Sequence, residues 1–174
     1  MNYSLLSRKL IYSGRVFDVA VHEYRLPDGR TQTYDVVEHL GAVTVVPVDA
    51  EGMIHFVRQY RVAAKVDLLE LPAGVLHEDE DPLEGAAREV REETGQAAGQ
   101  MIFLGTFFMV PGYSSEKMTV YLATGLTPDP LPMDDDEFLQ TERIPVQRAL
   151  EMARSGEIQD GKSLAALLMA EKYL

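Results

Sequence analysis

Residues 74–95 read GVLHEDEDPLEGAAREVREETG, and the fold follows from how that stretch is divided. Asp81 before Pro82, with Glu84 three residues after Asp81, has the spacing of a helix N-terminus, and Gly95 supplies the stop. A helix of about three to four turns is expected between them. At about 100° per residue, Leu83, Ala87, Val90 and Thr94 make one stripe suited to a core, while Glu89, Glu92 and Glu93 gather on another face. Like-charged neighbours at this spacing repel by about 3 kcal/mol per pair at an effective dielectric near 20. Two arrangements offset that repulsion. The side chains can splay into water beside Arg88 and Arg91, as in most acidic helices, or their oxygens can share a hard divalent cation.

The flanks favour the cation. Gly74, Glu80, Arg88, Glu89, the apolar Val90, Glu92, Glu93 and Gly95 reproduce a spacing of glycine, five residues, Glu, seven residues, then Arg-Glu-apolar-x-Glu-Glu-x-Gly. This resembles the Nudix box, with Gln96 standing where the box ordinarily continues with an apolar residue. The likeness extends to Val57–Arg61 (VRQYR), Glu70–Gly74 (ELPAG) and Pro111–Glu116 (PGYSSE). It also takes in Gly14–Phe17, Leu26–Gly29 and Val37–Val43, so that residues from about 10 to about 150 resemble the ADP-ribose pyrophosphatase branch of the Nudix hydrolases.

The resemblance implies Mg2+, with Mn2+ as a substitute, held by Glu89 and Glu93 together with Glu92 and the Ala73 carbonyl. An oxygen-only set of this kind suits magnesium, which keeps several waters and takes phosphate oxygens from its substrate. Glu93 is thereby a catalytic residue, and Gly74 lets the loop backbone come close to the metal and the phosphates. Arg88 and Glu80 are expected to act structurally, Arg88 in ion pairs and Glu80 as a hydrogen-bond acceptor in the loop. Arg58 and Arg61 read either as surface charges beside an apolar strand or as grips on phosphate or ribose oxygens, with Glu70 in a parallel part. Phe17 and Tyr113 are candidates to stack on adenine. For the base that activates water, Glu137 resembles the branch's loop glutamate, and Glu116 is the competitor.

Composition limits the alternatives. The 174 residues carry 46% hydrophobic and 25% charged side chains, which is ordinary for one globular domain. A net charge of −12 speaks against nucleic acid or an anionic membrane as the main partner, though local arginines and a cation can invert the field inside one cleft. The absence of cysteine excludes thiolate metal sites and disulfides and is compatible with a cytoplasmic location. His22, His39, His55 and His77 are scattered, and neither a Walker loop nor a Gly-x-Ser-x-Gly elbow occurs.

The pattern of elements predicts a mixed sheet between helices, and the resemblance sharpens it to a Nudix α/β/α sandwich (residues 41–174) after a small antiparallel β-region (residues 1–40) that helps form a homodimer. Ala42–Val48 and Met53–Tyr60 are expected to pair across the Asp49–Gly52 turn, and Pro145–Arg154 and Leu164–Tyr173 to be helices, the second capped by Ser163. The expected reaction is hydrolysis of ADP-ribose to AMP and ribose 5-phosphate. The rivals are another nucleoside diphosphate sugar such as GDP-mannose, and a non-catalytic domain that senses ADP-ribose.

Overall fold

The computed structural model of the protein describes residues 2–133 and 138–174. Its contacts divide into two units, Met1–Gly41 with Phe108–Lys117, and Ala42–Phe107 with Met118–Leu174. The Pro111–Glu116 motif therefore goes with the N-terminal strands, a grouping that a boundary at residue 40 does not anticipate.

In the first unit, β1 (Ser4–Ser13), β2 (Asp18–Arg25) and β3 (Thr31–Glu38) form an antiparallel sheet in that order. The link between β2 and β3 is tight because Gly29 adopts φ +87° and its N–H donates to the Leu26 carbonyl at 2.9 Å. Register shifts interrupt β1 between Leu5 and Ser7 and between Leu10 and Tyr12. These bulges increase local twist along a strand that has solvent on both sides.

The second unit runs β4 (Ala42–Pro47), β5 (Met53–Arg61), β6 (Val66–Glu70), β7 (Ala73–Val75), α1 (Pro82–Thr94), β8 (Gln96–Ala97), β9 (Gln100–Phe108), β10 (Lys117–Thr124), β11 (Thr127–Pro128), β12 (Gln140–Pro145), α2 (Val146–Ser155) and α3 (Gly161–Ala170). Its mixed sheet has the order β7-β4-β10-β9, with β4 parallel to β10 and antiparallel to β7. A separate antiparallel sheet has the order β12-β5-β6, and β8 pairs with β11. Every residue of β4 is buried, as expected of a β-branched strand with a parallel partner and covered faces. Val43 and Val45 pack with Ala86 and Val90 of α1 and with Tyr121 and Ala123 of β10, while α3 also touches β4. The result is the expected α/β/α arrangement.

Three local readings need correction. First, β4 and β5 do not form a hairpin. The isolated Val48–Ile54 bridge links their ends beside the Asp49–Gly52 turn, but among the described residues no ladder joins them, because β4 takes β7 and β10 as neighbours and β5 takes β6 and β12. Second, the last helix begins at Gly161 and its cap is Asp160, whose carboxylate accepts from the Ser163 N–H, so Ser163 lies inside the first turn. Third, α1 has its ends where expected, with the Asp81 side chain accepting from Leu83 N–H and Gly95 left-handed at φ +70°, but it is rotated. The buried residues are Gly85, Ala86, Glu89, Val90 and Glu93, whereas Leu83 is exposed. Two glutamates thus lie on the packed side of the helix.

Candidate active site

The rotation of α1 sets the site. Glu89 and Glu93 lie one turn apart and are only 6% and 5% exposed. They face the β6–β7 connection, where the Ala73 N–H donates to Glu93 Oε2 at 3.2 Å. At Gly74, a Cβ would stand 1.9 Å from Glu89 Oε1, so no other residue fits while that carboxylate holds its place. This glycine is needed for a close approach, since its φ is not positive.

Arg88 collects the neighbouring charge. Its guanidinium donates to both Glu80 oxygens (2.9 and 3.0 Å), to Glu89 Oε1 (2.6 Å) and to Glu92 Oε2 (2.8 Å). Arg88 reaches the loop as well, since a longer bond at 3.4 Å goes to the Val75 carbonyl. The bonds from Arg88 hold the Glu80 carboxyl down at about 2, and the same ion pairs raise the arginine. Glu80 also accepts from the His77 N–H at 2.9 Å, which closes the loop onto the helix.

The connection is held from its other side too. Arg61 donates twice to Glu70, at 2.7 Å to each oxygen, and Lys162 from α3 binds the same carboxylate. Burial opposes the charge on Glu70, but these two cations lower its pKa overall. Arg61 also feels the charge of Glu93, which helps raise its own pKa after the larger effect of the Glu70 bonds. Lys162 and Asp160 were not singled out from sequence, and Ser163 was read only as a helix cap. The one local signal was Asp-Gly-Lys-Ser ahead of an apolar helix, a pattern that reads as a cap.

Arg58 goes elsewhere. Three residues from Arg61 on the same strand, it projects from the opposite face, pairs with Glu142 at 2.5 Å and lines a cleft of about 290 Å³ with Tyr60, Asp67, Phe138 and Gln140. The structure therefore parts the two arginines that the sequence sets together. Glu116, Tyr113 and Phe17 belong to the first unit, where Tyr113 shares a cavity of about 590 Å³ with Tyr24, Tyr34 and His22, and Phe17 is exposed. Glu137 lies outside the described residues.

Among the described residues, no three His, Asp or Glu side chains converge as a ready metal cage. Glu80, Glu89 and Glu92 bond Arg88 instead. The donor chemistry still fits a hard cation. Two buried carboxylates, with Glu92 one residue before the second, face a backbone cradle that a Cβ at residue 74 would fill, and every available donor is oxygen.

Comparison with known proteins shows the family. A NUDIX domain model matches residues 38–167. The ADP-ribose pyrophosphatase of Bacillus subtilis (strain 168) is 34% identical over 164 residues, covering 93% of this chain and 89% of that protein. The methanol dehydrogenase activator of Bacillus methanolicus is 36% identical over 159 residues, covering 90% and 86%. A crystal structure of an ADP compounds hydrolase superposes with a TM-score of 0.86 at 25% identity, over 100% of this chain and 95% of the other. The chain belongs to the Nudix family, and within it is a pyrophosphohydrolase.

Proposed function

We propose that this protein hydrolyses the pyrophosphate bond of ADP-ribose, giving AMP and ribose 5-phosphate, with Mg2+ held by Glu89, Glu92, Glu93 and the Ala73 carbonyl, and Mn2+ able to replace it. The observation that carries this reading is the pair of buried carboxylates, Glu89 and Glu93, set against a glycine that their closeness requires. Burying two like charges one helical turn apart is unfavourable unless positive charge is brought to them. The similarity to the Bacillus subtilis enzyme supports the choice of ADP-ribose.

A divalent cation at this position supplies charge neutralisation on the phosphate oxygens and activation of a bound water. The protein's own groups do the rest. Glu93 is aimed by the Ala73 N–H, and Arg88 ties Glu80, Glu89 and Glu92 into one unit, so the carboxylates are oriented before substrate arrives. Arg61 is the cation placed to meet a phosphate, being half-exposed and bound to Glu70. The base is assigned to Glu137, with Glu116 as the alternative, and exchanging each for Gln decides between them: the true base loses about a hundredfold in kcat or more.

Two further features belong to the same reading. Residues 1–40 are assigned to a homodimer interface, supported by β1, which exposes apolar side chains on both faces. A cytoplasmic location is supported by the absence of cysteine, and no helix among the described residues is long and apolar enough to cross a membrane.

The test is a comparison of kcat/KM for ADP-ribose and GDP-mannose with and without Mg2+, together with Glu93→Gln. The variant keeps an acceptor for the Ala73 N–H but loses the charge, so turnover should fall by about a hundredfold or more while the fold persists. Glu84→Gln, exposed in the first turn, is the control. Near-normal Mg2+-dependent turnover in Glu93→Gln at unchanged stability would remove the metal assignment, and a clear preference for GDP-mannose would replace the substrate.

A further inference from the structure

The Glu70–Gly74 connection is fixed residue by residue, and much of the fixing comes from α3. Glu70 is 1% exposed and is bound by Arg61 through both oxygens and by Lys162. The Leu71 N–H donates to Ser163 Oγ at 2.7 Å. The Pro72 carbonyl accepts from Val45 N–H at 2.9 Å and from Thr44 Oγ1 at 3.1 Å. The Ala73 N–H is held by Glu93, and Gly74 lies against Glu89. Asp160 in turn orients the α3 side chains, accepting from Lys162 Nζ at 3.0 Å and from Ser163 Oγ at 2.5 Å.

Stability alone does not explain Lys162. It is 7% exposed, and Arg61 already satisfies Glu70 with two good bonds. A buried ion pair can often be exchanged for apolar packing without loss of stability, so a second buried cation on one carboxylate needs another reason. The effect it has here is geometric. A carboxylate bonded from three donors on two elements cannot rotate, and it sits three residues before Ala73. Ser163 acts one residue further on, holding a backbone N–H that has no ladder partner in the turn between β6 and β7.

We propose that Lys162 and Ser163 are positioning residues that lock the Glu70–Gly74 connection so that the Ala73 carbonyl is presented to the divalent cation bound by Glu89 and Glu93. This rests on the metal assignment above.

The experiment measures Mn2+ binding to the substrate-free full chain by titration, alongside Mg2+ dependence, kcat, KM and melting temperature. The variants are Lys162→Met, Lys162→Arg, Ser163→Ala and Ser163→Thr. Lys162→Met and Ser163→Ala should each weaken Mn2+ binding and raise the Mg2+ needed for half-maximal rate by about tenfold, in the range found when groups supporting metal ligands are removed. Lys162→Arg and Ser163→Thr, which keep a donor or a hydroxyl in place, should recover most of the loss. A lower melting temperature with unchanged Mn2+ affinity in the folded protein would overturn the proposal, showing these residues to hold the fold alone. Should Lys162→Met fail to fold, the Ser163 pair decides by the same criterion. If the unaltered protein binds no Mn2+ and hydrolyses no nucleoside diphosphate sugar, it is the metal assignment that falls. Normal binding in the unaltered protein and in all four variants sinks the positioning role alone.

Discussion

Two regions of this chain invert the usual rule in opposite directions. Around α1, carboxylates go inside, with Glu70, Glu89 and Glu93 all nearly inaccessible. Along β1, apolar groups stay outside, with Leu5 50%, Ile11 55% and Tyr12 58% exposed. Buried charge and exposed apolar surface are the informative exceptions in a folded protein, since each needs a compensating partner. The compensation differs in kind. Near α1 it is assembled within the chain from Arg61, Arg88 and Lys162, and a cation is proposed to complete it. On β1 all ten residues are exposed, and a second copy is proposed to cover them.

The contrast can be broken most sharply at Gly74. Alanine there would put a methyl group 1.9 Å from Glu89 Oε1 and 2.1 Å from its carboxyl carbon. Since φ at this position is not positive, the backbone itself tolerates alanine, and the whole penalty comes from displacing Glu89. Gly74→Ala should therefore lower kcat by about as much as Glu89→Ala, a hundredfold or more if Glu89 binds the metal. In a Glu89→Ala background the added methyl finds room, so the second change should cost little. Additive losses in that double-mutant cycle would show that the glycine matters for some reason other than the carboxylate.

A middle-sized effect is expected on β1. Ile11→Asp places a charge on the exposed apolar strand without disturbing any buried contact of its own unit. Light scattering should then change from a dimer mass to a monomer mass at micromolar concentration, while the melting temperature of the second unit is retained. A monomer mass for the unaltered, fully active protein would count against the proposed interface.

The same inversion explains what sequence could and could not disclose. The ends of α1 were readable because Asp81 and Gly95 bond their own neighbours and Pro82 presets its own φ. Its inward face was not, because a helical wheel sends carboxylates to water, and Glu89 and Glu93 go the other way. The β4–β5 hairpin was misread for a related reason. The Asp49–Gly52 turn is a local signal, but the partners of β4 come from residues 73–75 and 117–124. Lys162 lies 92 positions from Glu70, and nothing in either neighbourhood links them. The box residues were legible as a pattern, whereas the parting of Arg58 from Arg61 depended on strand alternation with both faces in use.

The smallest expected effect concerns Glu80, which joins the loop to Arg88. Its carboxyl is held down at about 2 by the Arg88 bonds first, with help from the His77 N–H and against the cost of burial. A carboxyl whose folded pKa is depressed stabilises the folded state fully above its unfolded value, near 4.3, and loses that contribution as pH falls towards the folded value. Glu80→Gln keeps the shape and an acceptor but carries no charge, so it should melt a few degrees below the unaltered protein at neutral pH. Between about pH 5 and pH 2 that gap should close. The absolute acid curve cannot make the assignment, because the Glu38 and Asp49 carboxyls are also held at about 2, by Arg8 in the first case and by the Met53 N–H, His55 and Arg143 against burial in the second. Only the difference between the two proteins isolates Glu80. A gap that stays constant from pH 6 to pH 3 would mean that the shape of this side chain, rather than its charge, ties the loop to α1.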